Sequence, residues 1–170
     1  AGMRGLECVY QALGIILGDY VDGPEPAEWP EGWAPDMPVF YCGLDHSTKE
    51  LTAQDKRNLE EWYERTIGWV PPRVAFMAKH EPRSLKATRA RWEGCFRGAL
   101  PKQMMPYLML RHNTVIGNRD GLREAVLLAK AWGFTPDWVM ESICGQAYYF
   151  RGHEALEVAH DAIGDIMDRW

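Results

Sequence analysis

A chain of 170 residues with 46 % hydrophobic and 25 % charged side chains has the balance of an ordinary globular protein, long enough to bury a core without a disulfide or metal staple. That excludes a disordered chain, a collagen-like repeat and a small disulfide scaffold. A net charge of −5 argues against a nucleic-acid partner, which would call for a basic footprint.

No apolar run approaches the ~20 residues that cross a bilayer, and no basic start with an apolar run and a small-residue cleavage site marks a secretory signal. The reading is a cytoplasmic protein without membrane contact. Cys8, Cys42, Cys95 and Cys144 form no C-x-x-C and read as buried thiols of a reducing compartment. His46, His80, His112, His153 and His160 form neither H-E-x-x-H nor an i, i+4 pair, so no metal centre is expected. Charge is uneven: residues 1–50 hold two basic side chains against nine acidic ones. Arg83, Lys86, Arg89, Arg91 and Arg97 make one stretch locally basic, read as a solvated helix face that offsets the acidic start.

In chain order, residues 6–17 are apolar enough for a helix that stops at Gly18. Residues 21–46 follow, with Pro24, Pro26, Pro30, Pro35 and Pro38 among Trp29, Trp33, Phe40 and Tyr41. That proline density forbids a helix or central strand, and the aromatics argue for an ordered arm packed on the body or on another subunit. Thr52 with Asp55 is an N-cap signal for a helix that buries Leu59, Trp62, Tyr63 and Ile67 and stops at Gly68. Pro71-Pro72 opens a short helix through His80, and Pro82 opens another through Leu85, Trp92 and Phe96 to Gly98.

Pro101 opens the next helix, whose Met104, Leu108 and Val115 are expected to face the core, with Pro106 tolerated near its start. Residues 118–133 form a helix with Leu122, Ala125, Val126 and Ala129 inside and Gly133 as its stop. Thr135-Pro136-Asp137 caps a helix with Val139, Ile143 and Ala147 as its buried stripe. The last helix carries Leu156, Ala159, Ile163, Ile166 and Trp170 at bundle spacing. No strand alternation, G-x-G-x-x-G or P-loop occurs, so the chain reads as all-α. The organisation expected is 1–50 as a helix plus irregular arm and 51–170 as one helical domain.

From Gly68 onward the pieces Gly68-Trp69-Val70-Pro71-Pro72, Glu81-Pro82-Arg83-Ser84-Leu85, Leu100-Pro101-Lys102 and Ala129-Lys130-Ala131-Trp132-Gly133-Phe134-Thr135 come in sequence, followed by two helices joined near Gly152. Their order resembles the carboxymuconolactone decarboxylase and alkyl hydroperoxidase D-like family over about 100 residues. The resemblance implies an antiparallel helical bundle, trimers or hexamers, and pockets near subunit contacts. Peroxidase members of that family use Glu, C-x-x-C and His. With Gly133 laid on the family glycine, Pro106, Asn118, Gly121 and Ala125 stand in those places, so dithiol peroxidase chemistry is excluded.

The decarboxylase branch needs no cofactor, because a conjugated lactone can hold the electrons that departing carbon dioxide leaves behind. It needs donors for an oxyanion and an acid for carbon. Arg111-His112-Asn113 and Asn118-Arg119-Asp120 flank the bend where the dithiol would lie. In this reading His112 is the general acid/base, Asp120 orients its imidazole, Arg111 grips a substrate carboxylate, and Asn113 and Asn118 donate to the oxyanion. Tyr148 and His153 make a second polar-aromatic corner that would contact substrate. Each has a plainer reading too: a histidine late in a helix suits the dipole, and Asn118-Arg119-Asp120 is a good helix start. His153, Glu157 and His160 share a helix face, read as solvated rather than cation-binding. Tyr41, Cys42, Asp45 and His46 have no spacing that builds a Cys/His pair.

The functional expectation is a cofactor-independent lyase or isomerase acting by decarboxylation, isomerisation or ring opening. Its substrate would be a small carboxylated or lactone compound of aromatic catabolism, and the enzyme a homo-oligomer. The competing expectation is a non-catalytic oligomeric binding or assembly protein.

Overall fold

The structure, a computed structural model, describes residues 40–95 and 104–170, without the side chains of Cys95, Met104, Met105 and Tyr148. The expected helix over 6–17, the arm up to residue 39, Phe96, Gly98 and the Pro101 start lie outside the described residues. Every described regular element is helical and no strand occurs among them. The chain divides into two compact units, Ala1–Lys102 and Gln103–Trp170. That line falls inside the stretch expected as one helical domain.

The first unit contains α1 (Ala53–Ile67), α2 (Pro72–His80) and α3 (Pro82–Cys95). Thr52 and Asp55 close a full capping box. The Asp55 N–H donates to Thr52 Oγ1 at 3.0 Å and the Thr52 N–H donates to Asp55 Oδ2 at 3.0 Å. Pro72 stands in the first turn of α2, where its missing N–H costs nothing. Phe40, Leu44, Leu59, Trp62, Tyr63, Val74 and Leu85 are buried in this unit.

The basic stretch on α3 is not the solvated face expected. Among the described residues of that stretch, Arg83, paired with Glu50, is exposed and Arg91 is half-buried. Lys86 and Arg89 are 4 % and 5 % exposed. Lys86 donates to Asp55 Oδ2 at 2.8 Å and to the Glu50 carbonyl at 2.8 Å. Arg89 donates to Glu93 at 2.8 Å and to the Phe40 carbonyl at 3.0 Å, with its guanidinium 3.8 Å from the Trp62 ring centre and 4.4 Å from that of Trp92. A buried charge must be paired and hydrogen-bonded, and residues 40–55 fold back over α3 to supply carboxylates and carbonyls. Nothing local to α3 announces that partner.

The second unit is a four-helix bundle of α4 (Met104–Ile116), α5 (Arg119–Ala131), α6 (Pro136–Gln146) and α7 (Glu154–Met167), with a single π-helical turn, Ala147–Arg151, between α6 and α7. Helix α4 lies beside α5 and α6, and α7 packs against the same two. Arg119 and Arg123 on α5 meet Asp161 and Asp165 on α7 in the same order, so those helices run parallel. Tyr107 meets Trp138 near the starts of α4 and α6, and Val115 meets Arg151 past the other end, so these run parallel too. Short corners join α4 to α5 and α6 to α7, giving an up-down-up-down bundle.

Its core joins Leu110, Leu122, Ala125, Val126, Ala129, Val139, Ile143, Ala159, Ile163 and Ile166. The stripe expected on α4 is corrected here. Leu108 is 43 % exposed, and the side facing inward carries Pro106, Leu110, Asn113 and Thr114. Residues 104–110 are apolar nearly all round, so two stripes satisfy helical spacing and periodicity alone cannot choose between them. The α4–α5 corner turns at Gly117, where φ is +71° and glycine avoids the clash a side chain would make.

Candidate functional site

The candidate residues gather at the end of the second unit where α4 turns into α5 and where the π-helical turn leaves α6. Arg111 sits on α4, half-buried. Its Nη1 donates to the Tyr107 hydroxyl one turn earlier at 3.0 Å, with the guanidinium 5.1 Å from the centre of that ring. The Phe150 ring from the π-helical turn lies 5.9 Å from the same guanidinium. Tyr107 in turn meets Trp138 edge-on at 6.0 Å, and Trp138 leans on Phe134 at 4.3 Å. Arg111 thus links a row of rings drawn from α4, α6 and the α5–α6 loop to the Phe150 ring of the π-helical turn.

Arg111 is paired differently from Arg119, Arg123 and Arg169. Arg119 pairs with Asp161, while Arg123 and Arg169 share Asp165. Those bonds hold the Asp165 carboxyl down at about 2, chiefly through the hydrogen bond from Arg123. Among the described residues no carboxylate pairs with Arg111. A guanidinium with rings beside it, and its Nε–Nη2 edge bonded to no described group, can receive a planar carboxylate by two parallel N–H···O bonds.

The other expected residues are placed less favourably for acting together. His112 follows Arg111, half-buried, with its Nε2 away from solvent. Asp120 is exposed in the first turn of α5, where the helix dipole favours an acid, and its charge acts on Arg123 of its own helix. The Asn113 amide donates to the Met109 carbonyl at 2.7 Å. Asn118 is the N-cap of α5, its Oδ1 accepting from the Gly121 N–H at 3.0 Å. Both asparagines are therefore engaged with backbone, and they close on Gly121, where a Cβ would overlap Asn113 Oδ1 and approach Asn118 Nδ2 to 2.5 Å.

The Tyr148 side chain is outside the described atoms, its neighbour Tyr149 is 82 % exposed, and His153 is exposed just before α7. Along that helix Leu156, Glu157, His160 and Asp161 line an open depression of about 510 Å³. No three metal-ligating side chains come together among the described residues. Cys42 is buried in the first unit, and burial, offset only partly by the Arg89 charge, pushes its thiol up to about 12. His46 is exposed.

Sequence reasoning missed Tyr107, Phe150, Arg151 and Gln146. The i, i+4 spacing of Tyr107 and Arg111 carried a usable signal. Gln146 lies on the same stripe as Val139 and Ile143; it is 4 % exposed and its buried Oε1 meets no described donor. Nothing local marks Phe150 and Arg151, because their positions depend on the π-helical turn. No described helix is long and apolar enough to cross a membrane. Compared with protein-family models, curated proteins and solved structures, the chain matches none.

Proposed function

We propose that the second unit binds a small carboxylate at Arg111 and acts on it as a cofactor-independent lyase or isomerase, in a bundle of the carboxymuconolactone decarboxylase type. The observation that carries this reading is the Arg111 guanidinium, half-buried between the rings of Tyr107 and Phe150 and paired with no described carboxylate. An arginine kept in that state is suited to an anion that comes and goes.

In decarboxylation the bond from the ring carbon to the carboxylate breaks, and the electron pair enters the conjugated lactone as an enolate. His112 gives its proton to carbon and regains one from water. Isomerisation or ring opening would use the same acid and the same anchor. The enzyme would assemble as a homo-oligomer in the cytoplasm.

The test is turnover of a carboxylated unsaturated lactone, followed by loss of substrate absorbance and release of carbon dioxide. His112→Ala is expected to lower kcat by about 10²- to 10⁴-fold, and Arg111→Gln to raise KM. Undiminished turnover in His112→Ala removes that residue from the mechanism.

A second reading is a non-catalytic assembly or binding protein. It is favoured by Leu108, Tyr149 and Phe150, which stand 43 %, 82 % and 53 % exposed. Absence of turnover, together with an oligomer that dissociates in Tyr149→Ser, would select it.

A further inference from the structure

The stretch between Gln146 and Gly152 leaves α-helical geometry. Ala147–Arg151 closes as one π-helical turn, with the Gly152 N–H donating to the Ala147 carbonyl at 2.6 Å. Such a turn holds one more residue than an α-turn, so every side chain after it is rotated by about 100° from where α6 would have put it. Two contacts depend on that rotation. Phe150 reaches the Arg111 guanidinium, and Arg151 Nη1 donates to the Val115 carbonyl at 3.1 Å. The Arg151 guanidinium packs over Gly117 so closely that a Cβ there would lie 2.9 Å from its Cζ. Arg151 thereby braces the π-helical turn against the α4–α5 corner.

The braced turn holds Phe150 in a costly place. Its ring is 53 % exposed, where a core position would bury it. What the exposure provides is a flat apolar face beside a cation that has no described carboxylate partner. The Phe150 ring centre lies 5.9 Å from the Arg111 guanidinium carbon, so the body of a carboxylate held by that cation comes within reach of the ring. A conjugated or aromatic body can stack there, offset or edge-on, while a saturated ring of the same size and charge touches it at fewer atoms.

We propose that Phe150, held by the π-helical turn and its Arg151 brace, is the specificity-determining residue of the Arg111 site, selecting carboxylates attached to a flat π-system over saturated ones. This rests on the reading of Arg111 as a carboxylate anchor.

The test is a titration of the full chain with benzoate, cyclohexanecarboxylate and benzamide, followed by calorimetry or by amide NMR shifts. The wild type is expected to bind benzoate about three- to tenfold more tightly than cyclohexanecarboxylate, and benzamide hardly at all. In Phe150→Leu the two acids should bind equally. Phe150→Trp, which enlarges the ring at a half-exposed position, should widen the preference and answers for any folding defect in the leucine variant. Arg151→Met should narrow the preference, because the turn is no longer tied to Val115. A wild type that does not discriminate between the acids, or a Phe150→Leu protein that keeps the preference, overturns the proposal. Benzoate binding that survives Arg111→Gln overturns the anchor reading itself, and a wild type that binds neither acid overturns both.

Discussion

The Lys86 ammonium lies 2.8 Å from Oδ2 of Asp55, with the two side chains 5 % and 1 % exposed. Asp55 is also the N3 residue of the α1 capping box, and its Oδ1 accepts the Asp45 N–H at 2.7 Å. One carboxylate therefore joins α1, α3 and the segment that crosses them. Asp55→Asn keeps the shape but leaves the Lys86 charge buried without its counter-ion, so a loss of about 3–5 kcal/mol is expected in urea unfolding. Lys86→Met should cost less, since Asp55 retains the Asp45 and Thr52 donors. Equal losses in the two variants would show that the Asp45 and Thr52 donors do not support the Asp55 charge once Lys86 is gone.

The same pair fixes how stability depends on pH. Burial alone would raise the Asp55 carboxyl, but the Lys86 ammonium and the donors on Asp45 and Thr52 outweigh it and hold the group well below the usual carboxylate range. A carboxylate depressed in the folded state stabilises above its unfolded value of about 4, and that contribution fades as the pH falls below it. The difference in stability between wild type and Asp55→Asn should therefore be constant from pH 7 to about 5 and shrink on going to pH 3. A difference that holds steady down to pH 3 would contradict this assignment.

These buried pairs mark where local reading of the sequence ends. Thr52 with Asp55, Pro72, and Thr135 with Pro136 are caps and helix starts made within a few residues, and the structure has them where the sequence predicts. The apolar stripes on α5, α6 and α7 are similarly local. Lys86 and Arg89 look like any solvated basic face until residues 40–55 come back to meet them. The candidate site divides in the same way. Arg111 and His112 stand out by residue type, but whether Asn113 and Asn118 are donors to a ligand or parts of a helix turn depends on the corner they build. Phe150 comes to Arg111 only through the π-helical turn, and the stripe Val139, Ile143, Ala147 reads as if α6 simply continued.

Cys42 should be inert as a thiol. Its backbone N–H donates to Glu93 at 3.0 Å, its side chain is buried, and a thiol pushed up to about 12 holds almost no thiolate near neutral pH. Iodoacetamide at pH 8 followed by peptide mapping should leave Cys42 unmodified in the native protein and alkylate it in urea. Native alkylation as fast as in urea would mean that the segment around Cys42 opens readily.

Gly121 and Gly145 should respond to alanine with opposite signs. Both lie within helices, where Gly→Ala in open space stabilises by roughly 0.5–1 kcal/mol. At Gly145 a Cβ meets nothing within 4 Å, so Gly145→Ala should gain about that much. At Gly121 the Cβ runs into Asn113, whose amide is tied to the Met109 carbonyl and whose side chain is 7 % exposed, so it cannot swing aside cheaply. Gly121→Ala is expected to destabilise by about 1–3 kcal/mol. Asn113 is the buried one of the two obstacles, Asn118 being exposed, so the two sites should couple: Gly121→Ala made in an Asn113→Ala background should cost less than it does alone. Additive losses in urea unfolding of the two single variants and the double variant would show that the corner gives way elsewhere, and that Asn113 does not set the approach of α4 to α5.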